Sequence, residues 1–281
     1  MVGGSRAAGR WIRICVYGTL ILVCLLLAFP YFWMVVTTFK PPAEVYTSEI
    51  RLLPSRLSLG VYPELLSNPE LPVVRFFLNS LIISGGCTLV SVSTAVLAAY
   101  PMARRRVRGK RLAYLLIIST MMVPGEVVII GIFSLIKSLH MINTYQGVIL
   151  PLAVYAIIFL IIYNYVYQLP RELDEAAIID GANMAQILLR IIIPVSRPAI
   201  YSATLLAFLH AWQNFTIPYI LTLSQEMYPL SVGALFTEST LYATMQETLS
   251  LTTILTVPTL VLFILTQRFV FSGITSGAVK G

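Results

Sequence analysis

Six stretches of mostly apolar residues divide this 281-residue sequence, at about 14–36, 76–103, 112–136, 147–167, 200–223 and 249–271. Each offers the roughly 20 residues that a helix needs to cross the hydrocarbon of a bilayer. Only 11% of the residues are charged and 58% are hydrophobic, against about 25% charged in a soluble domain. A chain of this composition cannot cover its apolar surface with polar groups, so it is expected to be an integral membrane protein. Backbone in lipid must satisfy its own hydrogen bonds, which a helix does within one segment. The expected fold class is all-α, with six transmembrane helices.

The first run follows a basic start (Arg6, Arg10), as a signal peptide would. It is too long for one and no small-residue cleavage site follows, so it reads as a retained span. It ends at Phe29, Tyr31, Phe32 and Trp33, an aromatic cluster suited to an interface. Prolines 101, 124, 151, 218 and 258 fall in or near the span ends and predict bent helices. Cys15, Cys24 and Cys87 are odd in number and lack ligand spacing, which argues against a disulfide framework or a metal site. They read as small core residues.

Orientation follows from the basic residues near the helix ends. With the N-terminus inside, fourteen of the nineteen basic residues face inward, including Arg6, Arg10, Arg13, the run from Arg104 to Arg111, Arg171, Arg190, Arg197, Arg268 and Lys280. Lys40, Arg51, Arg56, Arg75 and Lys137 remain outside. Both termini and the 168–199 segment are then cytoplasmic. Residues 40–74, rich in proline and carrying Glu44, Glu49, Glu64 and Glu70, form an external loop with a short helix near 62–66. The basic run 104–111 could bind nucleic acid or anionic lipid. In a short turn between spans it reads as a topology anchor on membrane lipid headgroups, with no nucleic acid partner.

One charged island interrupts the apolar chain. Glu172, Asp174, Glu175 and Asp180, four of the twelve acidic residues, lie within nine positions. Leu173, Ala176 and Ala177, then Met184, Ile187, Leu188 and Ile191, recur at helical spacing. Pro170 and the acids suit a helix start, Gly181 a helix end, and Asn183 with Gln186 a capping box. The segment predicts helix, glycine turn and second helix, stopped at Pro194. Physics alone leaves open whether this is an ordinary amphipathic loop.

The spacing Glu175-Ala176-Ala177, three residues, Gly181, nine residues, Ile191-x-Ile193-Pro194 resembles the EAA loop of bacterial ABC-importer permeases. The family pattern ends I-x-L-P, so Ile193 is the one departure. Asp180-Gly181-Ala182 and the C-terminal residues 273–281 are similar to the maltose-type, carbohydrate-uptake branch, and the likeness extends over nearly the whole chain. The resemblance implies the type I ABC-importer permease fold, both termini cytoplasmic, in a bacterial inner membrane. It implies a homologous second permease, two copies of a cytoplasmic ATPase that holds ATP and Mg, and an external solute-binding protein meeting 40–74 and 224–247. The ATPase-coupling residues it implies are Glu175, Ala176, Ala177, Asp180, Gly181, Ala182, Met184, Ile187, Leu188 and Pro194. A short helix at about 181–189 would lie in a cleft of the ATPase and move inward when ATP closes the ATPase dimer. On this reading residues 1–39 are the N-terminus and first span and 40–75 the external loop. Residues 76–273 are the permease core, with its EAA loop at 169–198, and 274–281 a cytoplasmic tail.

Ionisable groups inside spans are costly and so are functional candidates. Glu126 follows Pro124-Gly125 in the third span; His210 precedes Trp212-Gln213-Asn214-Phe215 in the fifth. Asn79, Gln213 and Asn214 could hydrogen-bond a polyhydroxylated solute, with Trp212 stacking on a sugar face and Glu126 completing a translocation path. The alternatives are that these groups bond neighbouring helices, or that Glu126 and His210 relay protons in a stand-alone, ion-coupled transporter. A scaffold subunit carrying no solute is a third reading. No Gly-x4-Gly-Lys-Ser/Thr occurs, so the chain has no phosphate-cradling loop and no cofactor of its own. Ser84-Gly85-Gly86 resembles part of an ATPase signature but sits in an apolar span without the following glutamine. The expectation is a transport subunit rather than an enzyme.

Overall fold

The computed structural model describes residues 4–45, 51–69, 71–239 and 244–278, with the side chains of 4–11, 236–239 and 268–278 left aside. Glu49, Glu70 and Lys280, and the side chains of Arg6, Arg10 and Arg268, lie outside the described residues. Every regular element among the described residues is helical. The chain forms two compact units, Met1–Leu71 with Thr237–Ile254, and Pro72–Phe236 with Leu255–Gly281.

The first unit contains α1 (Gly4–Thr38), α2 (Pro42–Val45) and α3 (Val61–Ser67). Pro30 lies inside α1 without ending it, and none of the helix's apolar window is buried within the chain. Such a surface is tolerable where lipid or another subunit replaces water. Cys15 and Cys24 are accordingly exposed on α1 rather than core residues; only Cys87 is buried. After α1 the backbone is held by side chains. Gln246 donates to the carbonyls of Thr38 (3.2 Å) and Lys40 (2.7 Å), and the Thr38 hydroxyl shares a hydrogen bond with Tyr62 (2.9 Å). Lys40 is buried; its ammonium donates to the Arg51 carbonyl at 2.9 Å and lies 3.9 Å from the Trp33 ring centroid. Without those partners a buried ammonium would be strongly destabilising. Residues 40–71 thus hold two short helices, where one was expected. Glu44, on α2, accepts from the Ser55 hydroxyl and from the Ser55 amide (3.2 Å), and these bonds hold its carboxyl below the ordinary value of 4.5.

The second unit is built on α4 (Val73–Arg104), followed by α5 (Lys110–Thr120) and α6 (Gly125–Ser138), bent by 105°, then α7 (Tyr145–Ala153) and α8 (Ala156–Gln168), bent by 48°. Next come α9 (Glu172–Ile179), α10 (Met184–Ile187), a π turn (Leu188–Ile192), α11 (Ile193–Val195) and α12 (Arg197–Trp212), with an 80° bend before α12. After α13 (Thr216–Leu221), the helices α14 (Leu230–Ser239) and α15 (Met245–Ala278) complete the chain.

Among the described residues, three helices are long and apolar enough to cross a membrane, or up to six if each bent pair counts as one span. The runs expected at 112–136, 147–167 and 200–223 are therefore not single helices. The first breaks just before Gly125, because proline disfavours helical geometry at the residue preceding it. The second breaks three residues after Pro151, and the third at 213–215. Irregular backbone at membrane depth is stable only where protein or a water-filled cavity surrounds it.

Small residues set the core. Ala95, Ala99 and Ala103 of α4 meet Ile158 and Ile162 of α8 and Ala203 and Ala207 of α12, and alanines let helix backbones approach closely. A Cβ on Gly86 would lie 2.6 Å from Ile149 Cδ1, so the glycine of the 84–86 triplet serves the contact of α4 with α7.

Candidate functional site

The acidic island folds as two short helices around one glycine. α9 begins at Glu172, two residues after Pro170, with Glu172, Asp174 and Glu175 in its first turn, where the helix dipole favours negative charge. It ends at Gly181, whose φ of +79° is left-handed. The Ala182 amide donates to the Ala177 carbonyl (2.9 Å) and the Gly181 amide to the Ile178 carbonyl (3.0 Å), the paired bonds of a Schellman motif. Open space surrounds the glycine, so it is the backbone angle, not crowding, that calls for this residue. The Gln186 amide donates to Asn183 Oδ1 (2.9 Å) and the Asn183 amide to Gln186 Oε1 (2.8 Å), closing the expected capping box.

Pro194 does not stop the second helix, as the sequence suggested. It lacks the N–H that would bond the Arg190 carbonyl, and its ring crowds that carbonyl. The chain widens into a π turn instead: the Ile193 amide reaches back five residues to Leu188, and helix resumes through Val195. Residues 184–195 are thus one continuous rod.

Polar side chains tie the start of α9 to the end of α4. Tyr100 Oη donates to Asp174 Oδ1 at 2.9 Å, and Arg104 donates to the Pro170 carbonyl at 3.1 Å. Arg104 Nε stands 3.5 Å from Asp174 Oδ2, with the two side chains only 4% and 11% exposed. Arg105 also donates to Tyr100 Oη, at 3.4 Å.

The ten expected coupling residues divide by burial. Glu175, Ala176, Asp180, Gly181 and Met184 are exposed; Ala182 and Pro194 are half-buried. Ala177, Ile187 and Leu188 are buried in the core formed with α4, α8 and α12. Ile179, at 86% exposure, and Leu189, at 63%, are the most exposed large apolar groups of the segment, and neither stood out in the sequence. The only available signal was that Leu189 falls off the apolar stripe.

The five expected path residues do not form one cluster of free polar groups. Trp212 is 2% exposed, donates from Nε1 to the Leu255 carbonyl (2.9 Å), and packs against Phe77 and Phe208. Asn79 is buried; its amide donates to the Glu226 (2.8 Å) and Tyr228 (2.9 Å) carbonyls and accepts from the Tyr145 hydroxyl (2.7 Å). Asn214 Oδ1 accepts from the Ile217 amide (3.0 Å), starting α13. Gln213 and Glu126 are exposed, Gln213 at a helix break and Glu126 in the first turn of α6. His210 stacks on Tyr155, their ring centroids 3.9 Å apart. No group of three or more His, Cys, Asp or Glu able to hold a metal ion occurs among the described residues.

Residues 91–271 match the family model described as "Binding-protein-dependent transport system inner membrane component". The chain is 33% identical over 264 residues to the trehalose/maltose transport system permease protein MalG of Thermococcus litoralis, covering 93% of this chain and 94% of that one. It is 30% identical to the arabinooligosaccharides transport system permease protein AraQ of Bacillus subtilis, covering 92% and 93%. Its fold is similar to a chain in the crystal structure of a bacterial ABC transporter that imports the acidic polysaccharide alginate, with a TM-score of 0.84 at 22% identity over 94% of this chain. This is the all-helical fold of type I ABC permeases. The chain therefore belongs to the binding-protein-dependent transport system inner membrane components, as a multi-pass permease subunit of an ABC importer.

Proposed function

We propose that this permease carries a sugar or related polyhydroxylated solute across a bacterial inner membrane, and that residues 172–195 are the lever on which a cytoplasmic ATPase pushes. The solute class rests on relatives whose names specify trehalose or maltose and arabinooligosaccharides. In the assembly, a homologous second permease completes the path and two ATPase copies bind and hydrolyse ATP with Mg. An external solute-binding protein delivers the cargo. Of the basic run, Arg104 and Arg105 are turned to Asp174 and Tyr100, and the exposed Arg106, Arg108, Lys110 and Arg111 rest on lipid headgroups.

One observation carries the lever: two helices capped on either side of Gly181 present Glu175, Ile179, Asp180, Met184 and Leu189 outward while Ile187 and Leu188 are sunk in the core. Apolar anchors ringed by acids suit a groove lined with apolar and basic groups. The buried side chains seat the lever; the exposed ones meet the motor. Of the path residues, Gln213 and Glu126 are free to meet solute, whereas Trp212 and Asn79 hold the walls.

The test is extraction in mild detergent followed by copurification with the ATPase. Gly181→Pro cannot adopt φ +79° and loses the amide bond to Ile178; with Glu175→Lys it is expected to leave the chain inserted but to detach the ATPase or abolish ATP-driven uptake. Wild-type uptake in both variants would refute the lever.

A further inference from the structure

The lever is fastened to the bundle by a set of buried polar groups that the EAA pattern does not include. Sequence continuity joins α9 only to α8 and α10. Beside the packing of Ala177, its polar link to α4 comes from two α4 side chains one turn apart, Tyr100 and Arg104, which lie on one helix face. Arg104 spans the start of the lever, bonding the Pro170 carbonyl just before α9 and facing Asp174 one turn into it. Tyr100, fully buried, holds the other carboxylate oxygen of Asp174. Arg104 Nε and Asp174 Oδ2 make no hydrogen bond elsewhere. Each therefore depends on the other for charge compensation in a site from which water is excluded, and removing either leaves a buried charge alone. Asp174 is the only acid of the island turned inward; Glu172, Glu175 and Asp180 are exposed.

We propose that Tyr100, Arg104 and Asp174 are positioning residues that lock the lever to α4, so that a push on 172–195 moves α4 directly rather than through the α8 connection alone. α4 packs on α7, α8 and α12, so a lever locked to it drives the whole unit. The inference rests on the lever reading above.

Spin labels at Ile178→Cys on the lever and Leu89→Cys on α4, both exposed sites outside the docking residues named above, test it in the assembled complex on a background lacking the native cysteines. Distances are recorded without nucleotide and after trapping with ATP and vanadate. With the lock intact the distance is expected to be unchanged by trapping, because lever and α4 move as one body. Asp174→Asn is expected to shift and broaden it on trapping, and Asp174→Glu to restore it. Tyr100→Phe, which deletes one hydroxyl and keeps the ring, is expected to show a smaller shift and keeps the test open should Asp174→Asn assemble poorly. If both Asp174→Asn and Tyr100→Phe trap vanadate with the wild-type distance, the lock is wrong. If the unsubstituted chain binds no vanadate-trapping ATPase, the lever reading fails instead.

Discussion

The two ends of α4 carry the same kind of attachment in opposite surroundings. At its start, Arg75 lies 3.9 Å from Glu226, and the two side chains are 53% and 77% exposed. At its end, Arg104 lies 3.5 Å from Asp174, at 4% and 11% exposure. Solvent screens the first pair, and an exposed pair contributes about 0–1 kcal/mol. The second pair cannot be separated without stranding a charge. What holds the start of α4 is neutral: Asn79 spends both its amide hydrogens and its oxygen on 226, 228 and Tyr145. The helix is thus tied by a satisfied amide at one end and by a buried ion pair at the other. The amide suits a permanent joint. The ion pair suits the joint proposed to transmit force, since it resists separation most where water is excluded.

The comparison can be broken by graded substitutions. Arg104→Ala removes the guanidinium from Asp174 and is expected to destabilise the chain by roughly 3–5 kcal/mol, read as a lower denaturation midpoint in detergent. Asn79→Ala removes three hydrogen bonds, to the Glu226 and Tyr228 carbonyls and from the Tyr145 hydroxyl, and should cost about 1–3 kcal/mol by the same measurement, without altering attachment of the ATPase. Glu226→Gln, which spares the bond from Arg75 Nε to the Glu226 carbonyl, should change stability by less than about 1 kcal/mol; a loss as large as that of Arg104→Ala would erase the distinction between the two ends. The smallest effect concerns the carboxylate of Glu44, held by hydrogen bonds from Ser55. Glu44 has a lowered folded-state value, so its bonds to Ser55 are complete above the ordinary carboxylate range and are lost as pH falls through that lowered value. Hydrogen exchange at the Ser55 amide should therefore quicken, relative to a Glu44→Gln control, only in the acid range below the ordinary carboxylate value.

Much of the lever was legible in the sequence, because its signals are local. Gly181 is needed for a left-handed angle, Asn183 and Gln186 satisfy each other's backbone amides, and the acids sit in the first turn of α9; each interaction joins residues five positions apart or fewer. Pro194 misled because a proline that removes one helical bond can be absorbed by a π turn in the residues before it, where Leu188 and Ile192 are buried, and burial is not a local property. Cys15 and Cys24 misled for a related reason: an apolar span need not have an inward face within its own chain. The path residues show the limit most clearly. Trp212 and Asn79 are of the right chemical type to bind a sugar, yet both are committed to their own fold, by bonds to residues 43 or more positions away.

The sequence by itself determined that the chain is helical and membrane-embedded, since long apolar runs leave no other way to satisfy the backbone, and it marked the capped lever and its family. Only the tertiary structure decided which faces of the lever are free and which are sunk, and that Tyr100 finds Asp174 across 74 residues. The physical reason is that caps and turns are energies between chain neighbours, whereas burial and charge pairing are energies of surroundings, fixed only when α4, α8 and α12 have packed together.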